Sequence, residues 1–128
     1  MTEGRLRTRV AAMAIGRVAI GATALLAPGP SSRLLGYPRE QDSPTARLMG
    51  RMFGVRDFAL GALVWHVRDD PTHSRYVYKL NAWVDIGDAA AMAAALIGRQ
   101  GIDRAALSSA AFALTGATGW LRLLRATR

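Results

Sequence analysis

Six ionisable residues interrupt stretches that are otherwise apolar: Arg17, Arg51, Arg56, Asp57, Asp85 and Asp88. Three are cationic and three anionic, so the set is balanced. Unpaired at the centre of a membrane helix, each costs roughly 2.5 to 3.5 kcal/mol, and all six together on the order of 15 to 20 kcal/mol. They must therefore face one another, water or a partner. Two chemistries are open to such a set: ion pairing that fixes helix register, or handling of an ion, a proton or a lipid headgroup. Arg17 and Arg56 are expected to pair with Asp57, Asp85 and Asp88, with Asn81 on the same face, because Asn81, Asp85 and Asp88 recur at i, i+4 and i+7. Arg51 lies nearer the end of its stretch and is expected to snorkel to the surface.

Other chemistry finds little support. Walker A, dinucleotide-glycine and His-Glu-x-x-His sequences are all missing. Zero cysteines exclude disulfides, thiolate metal sites and a cysteine nucleophile. His66 and His73 fall at an apolar boundary and in a loop, where solvated imidazoles are commoner than ligands. Asp69-Asp70 precedes Pro71 and reads as a turn, and Asp85-x-x-Asp88 lacks the further acidic residues of a metal-binding phosphotransferase helix. No cofactor, metal site or catalytic set is expected, so the reading is non-enzymatic.

The elements that position the six charges are four apolar segments: residues 10–27, 48–67, 80–98 and 105–121. Each approaches the length that crosses a hydrocarbon layer of about 30 Å. The first ends at Pro28-Gly29-Pro30, and the second is preceded by Ser43-Pro44, an N-cap with proline at the first helical position. The fourth carries no charge, whereas a soluble bundle helix shows a charged outer face. Arg17 in the middle of the first segment argues against a cleaved signal peptide. With 128 residues the chain is one domain. The expected fold is all-α, a four-helix transmembrane bundle in the plasma membrane, with a short surface helix or an ordinary loop at residues 30–37.

Helix packing is written in the small residues. Gly50, Gly54, Asp57 and Gly61 share one face, so Asp57 sits in a glycine-lined groove that another helix can enter. Arg17 shares its face with Met13, Gly21 and Ala24, and Ser108, Thr115 and Gly119 form a narrow face on the fourth segment.

A net charge of +8, from sixteen arginines and one lysine against nine acids, raises nucleic acid as a partner. The basic residues form no dense patch and flank the apolar segments, which points to membrane lipid instead. Placing both termini inside puts Arg5, Arg7, Arg9, Arg68, Arg75, Lys79, Arg122, Arg125 and Arg128 on the inner side, against Arg33, Arg39, Arg47, Arg99 and Arg104 outside. That bias predicts an N-in, C-in orientation. Trp65, Tyr76, Tyr78, Trp83 and Trp120 would then lie at the inner interface.

The run Arg51-Met52-Phe53-Gly54-Val55-Arg56-Asp57-Phe58-Ala59-Leu60-Gly61, with Gly16-Arg17 before it and Asp85-x-x-Asp88 after it, resembles a family of small, uncharacterised four-span membrane proteins common in actinobacteria. The likeness covers most of the chain and implies fold and location rather than activity. By analogy with small actinobacterial subunits of larger transporters, it suggests an accessory or scaffold subunit of a larger membrane complex, with a lipid transporter of the Mce type as one such complex. One alternative is a homo-oligomeric transporter or channel using the charged cluster. A second is a soluble helical binding module.

Overall fold

The computed structural model describes residues 2–127, which form five α-helices and one 3-10 turn, with no strand among the described residues. The helices are α1 (Glu3–Leu26), α2 (Pro28–Leu35), α3 (Pro44–Val67), α4 (Pro71–Ile97) and α5 (Asp103–Ala126), and the 3-10 turn spans Arg39–Gln41.

Local chemistry explains the boundaries. The Ser43 side chain accepts a hydrogen bond from the Ala46 backbone N–H at 3.1 Å, with Pro44 at the first position of α3. Asp70 caps α4 in the same way, accepting from the N–H groups of Thr72 at 2.9 Å and His73 at 3.0 Å. Asp70-Pro71 is thus a helix start, and α4 begins well before the apolar segment at 80, because a good cap and an exposed polar first turn need no apolar residues. Pro28 ends α1 but also opens α2, whose short run stops at Gly36 with φ 96°. The region 30–37 is therefore helical up to Leu35.

The four long helices make two tight pairs, α1 with α3 and α4 with α5, that touch each other more sparingly. In the first pair the backbones meet. A Cβ on Gly54 would stand 2.6 Å from the Gly21 carbonyl oxygen and 2.5 Å from the Leu25 nitrogen, and one on Gly61 would stand 2.9 Å from the Ala14 carbonyl oxygen. Gly50 lies further along, where a Cβ would stand 3.2 Å from the Pro28 side chain. In the second pair the buried face of α5 is Ala106, Ala113, Ala117, Trp120 and Leu123. Ser108 and Thr115 are exposed instead, their hydroxyls bonded to backbone carbonyls, and Gly119 faces the Met13 side chain.

At the end that carries the chain termini the pairs close over a core of Val10, Ala14, Val64, Val77, Tyr78, Ala82, Trp120 and Leu123. Tyr78 and Trp120 are stacked there, with ring centroids 6.1 Å apart. Both are buried against the core rather than facing outward. The Trp83 and Tyr76 side chains are exposed. Arg75 donates to the carbonyls of Leu124 and Thr127, neutralising the C-terminal end of α5.

Outward faces are rich in large apolar residues, including Ile15, Met52, Val55, Phe58, Ile86, Phe112 and Leu114. Two helices, α1 and α4, are long and apolar enough to cross a membrane. In α3 the run is broken by Arg47, Arg51, Arg56 and Asp57, and in α5 it is diluted by serine, threonine and glycine.

Candidate functional site: a buried ion network between the helix pairs

Five of the six predicted charges meet where the pairs face each other. Arg17, on the α1 face that also carries Gly21, is 7% exposed and reaches in two directions. Its Nη2 lies 3.2 Å from Asp57 Oδ1 on α3 and 2.9 Å from Asp85 Oδ1 on α4. Arg56 forms a forked pair with Asp88, Nη1 to Oδ1 at 3.0 Å and Nη2 to Oδ2 at 2.6 Å, and touches Asp57 Oδ1 at 3.4 Å. Asp57 therefore bridges the two guanidiniums. The α1/α3 pair supplies both arginines, and α4 supplies both of the carboxylates they reach across to.

Depth differs along the network. Arg17, Asp57 and Asp85 are buried, whereas the Arg56 and Asp88 side chains are 39% and 27% exposed. Phe53 sits beneath the Arg56 guanidinium, its ring centre 5.0 Å away, which fixes that side chain by cation–π contact. A planar guanidinium that meets a carboxylate with two parallel bonds also fixes rotation of one helix against the next.

Two further groups belong to the site. The Trp120 indole N–H donates to Asp85 Oδ2 at 3.0 Å, so both oxygens of Asp85 are occupied. Gly116, one turn earlier on α5, leaves the room: a Cβ there would stand 2.5 Å from Asp85 Oδ2. The signal available in sequence was the i, i+4 spacing of Gly116 and Trp120 on an otherwise small-residue helix. An indole N–H facing inward on such a helix needs an acceptor.

Asn81 is fully buried but does not join the network. Its Nδ2 donates to the Val77 carbonyl of its own helix at 2.9 Å, which is all its short side chain reaches. Asn81 Oδ1 and the Nε atoms of Arg17 and Arg56 have no hydrogen-bond partner among the described residues. Such orphaned atoms cost stability, so the network contributes less than its number of contacts suggests. Arg51 stands apart on the exposed side of α3. Of the predicted packing glycines, Gly54 and Gly61 line the α1 contact that seats Asp57, while Gly50 seats Pro28. Among the described residues no group of three histidine, aspartate or glutamate side chains is arranged to hold a metal ion.

These features define a class: an all-helical bundle with charge inside, apolar residues outside and two helices able to cross a membrane. The chain belongs to the family described as a domain of unknown function, DUF4267, whose model matches residues 14–122. That span contains every residue of the network. No curated protein and no solved structure matches the chain.

Proposed function

We propose that the protein is a four-span protein of the plasma membrane, N-in and C-in, that works without enzymatic activity as an accessory or scaffold subunit of a larger membrane complex. The observation that carries this reading is an unpartnered small-residue face on α4. Trp83, Gly87, Ala90, Ala91 and Ala94 fall on one side of the helix and are exposed, Trp83 by 71%. A Cβ on Gly87 would meet nothing within 4 Å. In lipid such a stripe lets a second helix approach closely, as the Gly21, Gly54 and Gly61 stripe does within this chain. The Trp83 ring beside it offers a large apolar knob.

The same reading accounts for the charges. Outward apolar side chains suit lipid, and inward ion pairs suit a bundle whose helices cannot rely on a hydrophobic effect among themselves. Closure of the terminal half over Tyr78, Trp120, Val64 and Leu123 supports a scaffold over a homo-oligomeric transporter, because it plugs any path leading on from Asp85.

The test is a mild-detergent pull-down of the chromosomally tagged chain with mass spectrometry of stoichiometric companions. A defined complex, a lipid transporter included, is the expected result, and Gly87→Leu should release it while the variant stays folded. Recovery of the chain alone in several mild detergents, or Gly87→Leu leaving the complex intact, would overturn the proposal.

A further inference from the structure

At the end of the bundle remote from the termini, the α1–α2 corner leans on the start of α3. A Cβ on Gly50 would stand 3.2 Å from the Pro28 side chain, and beside this contact lies a cleft of about 300 Å³ lined by Leu26, Pro28, Gly29, Pro30, Arg47 and Arg51. Gly29 is part of its wall. A Cβ there would lie 3.6 Å from Asp42 Oδ2 and 3.8 Å from both Nε and Nη2 of Arg47, in ordinary contact, so a longer side chain would grow into the cleft or displace the Asp42–Arg47 pair.

The charge in and around this cleft is unequal. Asp42 grips Arg47 through two bonds, Nε to Oδ1 at 2.8 Å and Nη2 to Oδ2 at 3.0 Å, and Arg33 stands 3.7 Å from the same carboxylate. Hydrogen bonding from Arg47 draws the Asp42 pKa below the ordinary 3.8, so the carboxylate stays ionised. It orients Arg47 but neutralises only one cation. Arg47 retains unused donors, and Arg51, one helical turn further on, has no carboxylate within ion-pair distance among the described residues. Three guanidiniums against one carboxylate leave a surplus of two positive charges. The rim is apolar: Leu26 is 80% exposed, and Leu48 and Met52 stand exposed on α3 beside the arginines.

We infer that Arg51 and Arg47 form a binding site for a phosphate-bearing anion, with the absent side chain of Gly29 leaving the cleft open and the Leu26 rim accepting an attached apolar chain. An anionic phospholipid headgroup meets both requirements. Guanidiniums match phosphate oxygens in geometry as well as charge, and the cleft stands where α1 ends and α3 begins, the level of headgroups in the four-span reading. The site rests on that reading only for its source of phosphate.

The test uses the full-length chain in mild-detergent micelles doped with either phosphatidylglycerol or phosphatidylcholine, read by native mass spectrometry. The expected result is retention of phosphatidylglycerol over phosphatidylcholine by about tenfold, the size of one charge-assisted contact. Arg51→Gln should abolish the preference, as should Gly29→Leu by filling the cleft. Arg7→Gln, at the opposite end, should leave it intact. Displacement of the lipid by millimolar inorganic phosphate would keep the anion site but assign it to free phosphate. Equal retention of the two lipids, or a preference surviving both Arg51→Gln and Gly29→Leu, would overturn it. Recovery of the chain without detergent would instead sink the four-span reading, which separates the two failures.

Discussion

The two helix pairs solve the same packing problem by opposite means. In α1/α3, glycines remove side chains until the backbones touch, Gly54 against Gly21 and Gly61 against Ala14. In α4/α5, alanines line the contact and one large residue, Trp120, fills it while binding a carboxylate. The first pair brings the arginines Arg17 and Arg56, and the second brings Asp85 and Asp88. Each pair is internally tight and the contact between them is thinner, so the ion network is the joint of the molecule rather than an ornament of its interior.

That contrast can be broken at the joint, within either pair, or at the helix ends, with effects in that order. Arg17→Met leaves Asp85 buried without its cation and should cost about 3 to 5 kcal/mol, read by detergent-phase unfolding. Gly54→Ala forces backbone apart in α1/α3 and should cost about 3 kcal/mol, the upper end of the usual overpacking range, because the atoms it meets are main chain. Trp120→Phe removes the bond to Asp85 and shrinks the bicyclic ring to a single one, leaving a cavity in the core, at about 2 to 3 kcal/mol. If Trp120→Phe proves more costly than Gly54→Ala, the glycine contact is not the tighter of the two.

The smallest effect is expected at the caps. Asp70→Ala should cost about 1 kcal/mol through loss of the α4 start. Hydrogen bonds from the His73 backbone and then from its ring draw the Asp70 pKa below the ordinary 3.8. A lowered carboxylate stabilises fully above that ordinary value, and its contribution disappears as the pH falls through the folded-state value. Melting of the wild type and Asp70→Ala should therefore converge only below about pH 4. Convergence already at pH 6 would contradict the capping geometry.

Most of the joint was legible because its physics is local. Charges in apolar runs must face one another, water or a partner, and helical spacing already puts Asp85 and Asp88 on one side of α4 and Asp57 among glycines. The partner in the glycine groove was not legible, since Gly50, Gly54 and Gly61 announce a close approach without saying whose. The inward turn of Trp120 was not legible for a related reason. Near a helix end an aromatic residue suits an interface equally well, and only the depth of Asp85 beside Gly116 decides between the two. The early start of α4 escaped an apolar-run criterion because capping and an exposed first turn carry no hydropathy signal. Asn81 shared the right face yet satisfied itself on its own helix, which a face assignment cannot distinguish from pairing.

The most direct test of the joint is a double-mutant cycle across it, Arg17→Met with Asp85→Leu, measured by reversible unfolding in detergent. If the network ties the pairs together, the two changes interact: each alone strands a buried charge, the double variant strands less, and the coupling should exceed about 2 kcal/mol. Losses that add within about 0.5 kcal/mol would show that the pairs are held by something other than these charges.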